Sequence, residues 1–381
     1  MLVKRFIILV LTGLFALLSS GCWDAVNVNN KSLITLVALD RKEEQLIFHI
    51  ELPNLALGQS GGEGGGAGGG HEQFSVVQGK GDTLTEARLS LDYKMDKPLF
   101  LGTVRSLVLT EDLAKYGLEK YMYRMQSDPE HRKAVGIVTT SENLDEFFDV
   151  KPANNVSIGH SIDELISSLY KKGHKVKNTT SDVLEFLASD SCFVLPDIGL
   201  MDGDIVCTGY TVIHRGKHNG FIPAEETKGL VWILADHPEW SYVVSMGDYE
   251  ATVDVTLKKK TITPLYSKDN LTMDLDFEFE SEIMYLSDDI AVGRKQEDQI
   301  RQELQKLLLQ DLHHAVEKSL SLQCDYLGLK NIFRIHYPNE AKKLNWQKTY
   351  INSKIKISAK TSIEPGGMAD FQERSKSKES E

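Results

Sequence analysis

The chain has 381 residues, 41% hydrophobic and 26% charged, a balance that supports folded cores and excludes wholesale disorder, a collagen-like repeat and a polytopic membrane protein. At roughly 100–200 residues per domain, the length suggests two or three cores. A formal charge of -12 lacks the basic footprint that neutralising phosphates requires, so nucleic acid is excluded as an expected partner.

Lys4 and Arg5 precede the apolar run 6–18, which is shorter than the roughly 20 residues that span a bilayer and has the length of a secretory hydrophobic region. Ser19-Ser20-Gly21-Cys22 follows, with a small residue directly before a cysteine, as signal cleavage and thiol lipidation of bacterial lipoproteins require. Ser19 stands where such sites usually carry a leucine-like residue, and Leu18 is one place further away. Cys22 is the expected lipidation site. The alternatives are an ordinary secretory signal with a chance cysteine and an uncleaved anchor. A lipidated Cys22 carries at least two acyl chains, enough at roughly 0.8 kcal/mol per buried methylene for stable anchoring. Cleavage removes Lys4 and Arg5 and leaves the body more acidic, so anchoring falls to the lipid and not to charge attraction.

Residues 33–39 and 46–52 alternate as two strands around the polar turn 40–44, a hairpin. The glycine tract 61–70 lacks the Gly-Lys-Ser/Thr of a phosphate loop and runs into a strand-like stretch, 73–78, so it is expected to be a flexible loop. Thr83 and Glu86 form a capping box before a helix carrying Leu84, Ala87, Leu91 and Met95. A strand over 99–109, a helix over 111–126 and a strand over 134–139 continue the α+β pattern. Tyr121, Tyr123 and the neighbouring methionines could line a ligand box, but a stripe at helical spacing is expected to be core.

Short strands are expected over 209–214, 220–222 and 230–235 around a turn at 216–220, which puts His214 and His218 at a hairpin tip. That spacing joins two ligands on a helix and not here, and the adjacent His313 and His314 point apart, so neither pair is read as a metal site. With Cys22 acylated, Cys192, Cys207 and Cys324 remain, an odd number. Buried thiols are expected, with a Cys192–Cys207 bridge as the alternative.

The last third is the most regular. Residues 252–263, 271–283 and 350–363 alternate as strands, and 294–322 places Ile300, Leu304, Leu307, Leu308, Leu312, Val316 and Leu320 on one helical stripe that should cross the sheet. Asp274, Asp276, Glu278, Glu280 and Glu282 share one strand face, and Lys354, Lys356 and Lys360 share another, which is complementary if those strands are neighbours. Calcium needs six to eight converging oxygens, whereas carboxylates on a strand face stand about 7 Å apart, so a solvated or lysine-paired face is expected. No Gly-x-Ser-x-Gly elbow, His-Glu-x-x-His or cysteine protease setting occurs, and no enzyme activity or cofactor is expected.

The order and spacing of several motifs resemble the Ger(x)C family, the lipoprotein C subunits of bacterial spore germinant receptors. They are 21–24 (Gly-Cys-Trp-Asp), the polyglycine loop, 79–91 with Glu86-Ala87, 128–132 (Asp-Pro-Glu-His-Arg), 209–212 (Gly-Tyr-Thr-Val), 220–222 (Gly-Phe-Ile), 225–232 (Glu-Glu-Thr-Lys-Gly-Leu-Val-Trp), 325–328 (Asp-Tyr-Leu-Gly), Trp346 and the closing Gly366-Gly367. The resemblance implies a non-enzymatic subunit lipid-anchored on the outer face of the spore inner membrane. It also implies two integral membrane partners, A-type and B-type, with which the subunit turns a small nutrient signal into germination. The implied fold is an α+β, three-domain lipoprotein, each domain a mostly antiparallel sheet with packed helices.

The expected boundaries are a signal peptide over 1–21, an N-terminal α+β domain over 22–190 with a flexible loop 58–70, a middle domain or segment over 191–250, a C-terminal α+β domain over 251–370 and a polar tail over 371–381. Glu226, Thr227 and Trp232 match the family pattern and are the candidate partner contacts. The alternative is that they serve only the fold, Gly209, Gly220 and Gly229 at turns and Trp232 in the core. The competing reading is a stand-alone lipid-anchored protein that binds a small solute.

Overall fold

The computed structural model describes residues 4–5, 28–54, 74–151, 157–174, 176–287 and 293–364. Cys22, the glycine tract and the polar tail lie outside them. The first hairpin has β2 (Leu36–Lys42) antiparallel to β3 (Gln45–Pro53), with Leu39 opposite Phe48 and Glu43 at φ 55 in the turn. β4 (Phe74–Gly81) pairs on the outer side of β3. The capping box forms as expected: Thr83 accepts from the Glu86 amide and Glu86 accepts from the Thr83 amide, opening α1 (Leu84–Asp92).

The strand expected over 99–109 is interrupted. β5 (Leu99–Phe100) pairs with β1 (Ser32–Leu33), and the Thr103 hydroxyl, donating to Ile34 O and accepting from Ile34 N, holds a 3-10 turn before β6 (Ser106–Thr110). The helix expected over 111–126 is also two, α2 (Glu111–Tyr116) and α3 (Glu119–Ser127), because Gly117 at φ 133 leaves the helical region. After β7 (Gly136–Thr140) come α4 (Leu144–Phe148), α5 (Ile158–Lys171) and α6 (Thr180–Ala188). β8 (Phe193–Met201), β9 (Asp204–His214) and β10 (Lys217–Pro223) then form a meander.

These strands make one eight-stranded sheet, ordered β10-β9-β8-β7-β6-β2-β3-β4. Its centre, β8-β7-β6-β2, is parallel and its flanks are antiparallel. A parallel centre must be covered on both faces, and every residue of β6 is buried. Val37, Leu107 and Ile137 face α1, α2, α3 and α6 through Leu91, Leu113, Met122 and Val183. Their neighbours Leu36, Val108 and Val138 face α4 and α5 through Phe147, Ile158 and Ile162. Tyr121, Met122 and Met125 lie in this core, with the Tyr121 ring 5.8 Å from Phe48, while Tyr123 is exposed.

The expected strand over 230–235 is a helix, α7 (Lys228–Leu234). Leu230–Ile233 are all buried, so the run is apolar on every side and shows no period that separates helix from strand. β11 (Glu239–Ser245), β12 (Glu250–Ser267), β13 (Asn270–Leu286) and β14 (Lys354–Glu364) form the second sheet in that order. α8 (Arg294–Ser321) crosses it, as its stripe predicts, burying Ile300, Leu304, Leu308, Leu312 and Val316. Three short helices, α9 (Leu329–His336), α10 (Pro338–Ala341) and α11 (Trp346–Ile351), complete the return to β14, which pairs parallel to β13. Asp274 meets Lys356 at 3.5 Å and Glu280 meets Lys258, so lysines from both neighbouring strands flank the acidic row. The α+β class with a long C-terminal helix is the observed architecture. Residues 191–250 divide their elements between the two sheets: β8, β9 and β10 belong to the first, β11 to the second.

Cysteine pairing differs from both expectations. Cys192 is joined to Cys324, 132 positions on, with Cα atoms 5.7 Å apart, while Cys207 keeps a thiol facing Gly209 O. The partner of Cys192 arrives after α8, and nothing local to the 192–207 segment announces it.

Two buried polar side chains share one face of β3. Glu51 accepts from the Ile158 amide (2.6 Å), the Gly159 amide (3.1 Å) and Thr35 Oγ1 (2.7 Å), and so pins the start of α5 to the sheet. Burial raises its carboxyl pKa against the pull of those donors. His49 stacks on Phe148 at 5.6 Å, and neither ring nitrogen has a hydrogen-bond partner among the described residues. Burial lowers its pKa to about 4. A depressed folded pKa means that the unfolded chain takes up the proton first. Stability is therefore complete above the unfolded value of about 6.5 and falls as pH drops towards 4, by up to about 3 kcal/mol. His49→Leu should remove most of that loss in urea titrations at pH 6.5 and pH 4, and an unchanged acid limb would contradict the assignment.

Candidate functional site

Of the residues expected to carry function, Cys22 lies outside the described residues. Glu226, Thr227 and Trp232 fall together where α7 crosses α8. A Cβ at Gly229 would lie 1.9 Å from Asp311 O, so the two helices touch backbone to backbone. Thr227 is fully buried, and its hydroxyl donates to Ala224 O at 2.7 Å, closing the turn that leads into α7. Trp232, 1% exposed, donates from Nε1 to Tyr242 Oη (2.9 Å), which donates to Asp311 Oδ2 (2.6 Å). Burial raises both the Tyr242 and the Asp311 pKa, and the Lys228 ammonium stands 4.5 Å over the Tyr242 ring.

Glu226 alone of the three reaches solvent, and it is ion-paired. His314 Nε2 lies 3.0 Å and Lys318 Nζ 3.2 Å from its Oε2, and these bonds hold its carboxyl below the usual range. The other two motif glycines serve close approach and not turns. Gly209, at φ 151, would set a Cβ 2.1 Å from Ile222 O, and Gly220 would meet the Leu322 side chain at 2.7 Å.

Below this crossing a cavity of about 530 Å³ separates β8 and β9 from the helices after α8. Asn178, Cys192, His214, Asp325, Trp346 and Tyr350 are among its walls. Asp325 follows the disulfide directly and accepts from the Lys330 amide (2.7 Å), the Leu329 amide (3.1 Å) and Trp346 Nε1 (3.0 Å). Burial pushes its pKa up to about 7 in spite of these donors. Burial also lowers the pKa of His214, with the positive charges of Arg215 and Lys330 adding to the effect. The motif residues Asp325 and Trp346 meet here, but nothing in the sequence joins them to Cys192 and His214, because the members come from β8, β9 and the segment after α8.

A second cavity, about 350 Å³, opens between α1 and α3. Its floor includes Phe48 and Leu91, and Arg88, Arg124, Tyr121 and His131 stand around it. Burial lowers the His131 pKa to about 4, and its Nε2 lies 3.4 Å from Thr180 Oγ1. Both cavities fall in the range of small-molecule sites.

Residues 24–200 match the family described as spore germination protein N-terminal domain, and residues 208–367 match spore germination B3/GerAC like, C-terminal. The chain belongs to the GerAC-like spore germination family. Spore germination protein KC of Bacillus subtilis (strain 168) is 23% identical over 96% of this chain and 97% of its own length. The putative spore germination protein YfkR of the same organism is 19% identical over 94% of this chain and 96% of its own. The crystal structure of the GerBC protein superposes with a TM-score of 0.53 at 16% identity, covering 86% of this chain and 96% of that one, so the fold is shared. The resemblance expected from the motifs is thereby confirmed.

The Gly229 contact makes a direct test of the helix crossing. Gly229→Ala forces backbone apart and should cost about 2–4 kcal/mol in urea unfolding, at or above the usual penalty for overpacking. Glu226→Gln should cost less than about 1 kcal/mol, as for surface ion pairs. A Gly229→Ala protein as stable as the parent would refute the crossing.

Proposed function

We propose that this protein is a non-enzymatic, lipid-anchored subunit of a spore germinant receptor, needed for germination in response to small nutrient molecules. It is held through Cys22 on the outer face of the spore inner membrane and works with two integral membrane subunits, one A-type and one B-type. The observation that carries this reading is the match of both halves of the chain, over 24–200 and 208–367, to spore germination domains. Among the described residues no helix is long and apolar enough to cross a membrane. The candidate anchor is the lipobox-like cysteine, with two or more acyl chains sufficient to retain the protein.

The titratable groups around the cavities favour a binding role over chemistry. Asp325 is engaged by three N–H donors, and His131 faces a threonine. Glu226 is the candidate partner contact that combines charge with exposure. Thr227 and Trp232 support the surface from beneath by fixing α7. A lipid tether confines the folded body to a thin layer beside its partners, so modest docking affinity suffices.

Affinity capture of the protein from detergent-solubilised spore membranes tests the assembly. Two multi-span polypeptides should accompany it. Recovery alone, from a preparation in which such proteins are intact, would instead favour a stand-alone solute binder, which a ligand-induced thermal shift would then reveal. Cys22→Ala, exported and cleaved by replacing the signal with an ordinary secretory one, should lose stable membrane retention together with the nutrient response. Normal retention and germination in that variant would end the tether reading.

A further inference from the structure

We propose that Cys192, Cys324 and His214 form a metal site whenever the two cysteines are thiols, taking one borderline or soft cation of the Zn2+ class. The sulfurs of both cysteines and an imidazole nitrogen of His214 all lie within 4.8 Å of one another. A tetrahedral ion bound at about 2.3 Å sets two sulfurs about 3.8 Å apart, inside that span. Two thiolates and an imidazole are the donors that select such an ion over a hard one.

The three ligands sit on fixed backbone. Cys192 directly precedes β8, whose Phe193 pairs with Ile213, so Cys192 and His214 are cross-strand neighbours. His214 is the last residue of β9, held against Lys217 of β10 across a turn with Arg215 at φ 52 and Gly216 at φ 69. Cys324 is clamped by Ser319, whose carbonyl accepts from the Cys324 amide (3.1 Å) and whose hydroxyl donates to Cys324 O (2.8 Å). The Asp325 carboxylate, already holding three N–H groups, is not among the ligands, and because Cys192 and His214 both line the cavity, water from it would complete the coordination.

The disulfide and the metal bridge are alternative states of the same two sulfurs. A dithiol gives two electrons and two protons to the Cys192–Cys324 bond and closes to its own cyclic disulfide, leaving two protein thiols. Binding of the dication releases both protons and gives a site of no net charge. Either state ties the segment after α8 to the end of the first sheet, so the junction persists while its chemistry changes. The sequence spacing groups His214 with His218, four positions away. The fold instead sets it beside cysteines 22 positions before it and 110 positions after it.

The test uses the full chain in detergent with Cys22→Ser and Cys207→Ser, reduced by a phosphine and desalted under nitrogen, then titrated with Co2+. One equivalent should bind, with an intense thiolate-to-cobalt band in the near ultraviolet and the visible bands of tetrahedral cobalt. Zn2+ should displace it, and the disulfide form should show neither feature. His214→Ala should weaken binding at least about tenfold while keeping the charge-transfer band. The proposal is overturned if the reduced protein, folded by circular dichroism, gives no charge-transfer band. It is equally overturned if the disulfide form or a further Cys192→Ser/Cys324→Ser protein binds Co2+ as well.

Discussion

The Asp311 carbonyl occupies the space that any side chain at position 229 would need, and much of the C-terminal half follows from this. Because the backbones meet, α7 lies flat on α8 and delivers Trp232 to Tyr242 and to Phe279, whose ring centroid is 5.0 Å away. α8 in turn lies on the second sheet through Leu304, Leu308 and Leu312. α7 is also the direct continuation of β10, through the turn that Thr227 closes. One helix crossing therefore transmits the position of the first sheet to the second. The core reflects it: Val194, Tyr210, Val212 and Ile222 of the first sheet belong to the same apolar cluster as Val253, Phe277 and Leu308.

The Cys192–Cys324 bond acts on the same junction from the other side. Closing a loop of 132 residues removes, on the chain-entropy account, about 5 kcal/mol of freedom from the unfolded chain. Beside it Asp325 gathers the amides of α9 and the indole of Trp346, so the short helices after α8 are organised around one carboxylate. Burying that carboxylate costs desolvation energy, and the raised pKa records how incompletely the donors offset it. The junction thus combines a close helix contact, a covalent staple and a polar node within one shared core.

How much of this was legible follows from the range of each signal. The capping box of α1, the stripe of α8 and the alternation of β12, β13 and β14 are local, and they came through with near-correct bounds. The lysine and acid rows were complementary on the condition that their strands are neighbours, and the register meets it by putting Lys356 opposite Asp274. Gly117 broke one expected helix because a single residue at positive φ overrides apolar spacing on both sides. α7 was missed because a fully buried run has no period. The disulfide and the His214 environment were invisible, and Asp325 and Trp346 were marked as motif residues without their contact, since each joins segments that only the tertiary fold brings together. The three candidate contacts fall together at the α7–α8 crossing, where the structure divides them into one exposed charge, Glu226, and two buried residues, Thr227 and Trp232.

That division bears on how a tethered subunit of this kind could work. A chain of net charge -12 is not drawn to anionic lipid, so on the proposed reading its approach to the membrane would depend on the lipid at Cys22 and on what it docks against. For a short flexible tether the effective concentration at the partner reaches about the millimolar range, and an interface much weaker than that of free proteins is then well occupied. A weak interface can be read out only if the body does not deform on docking, because any reorganisation would consume the small free energy available. The glycine-mediated helix crossing and the shared core would supply that rigidity, and on the proposed reading the buried Thr227 and Trp232 would serve docking by holding α7 in place.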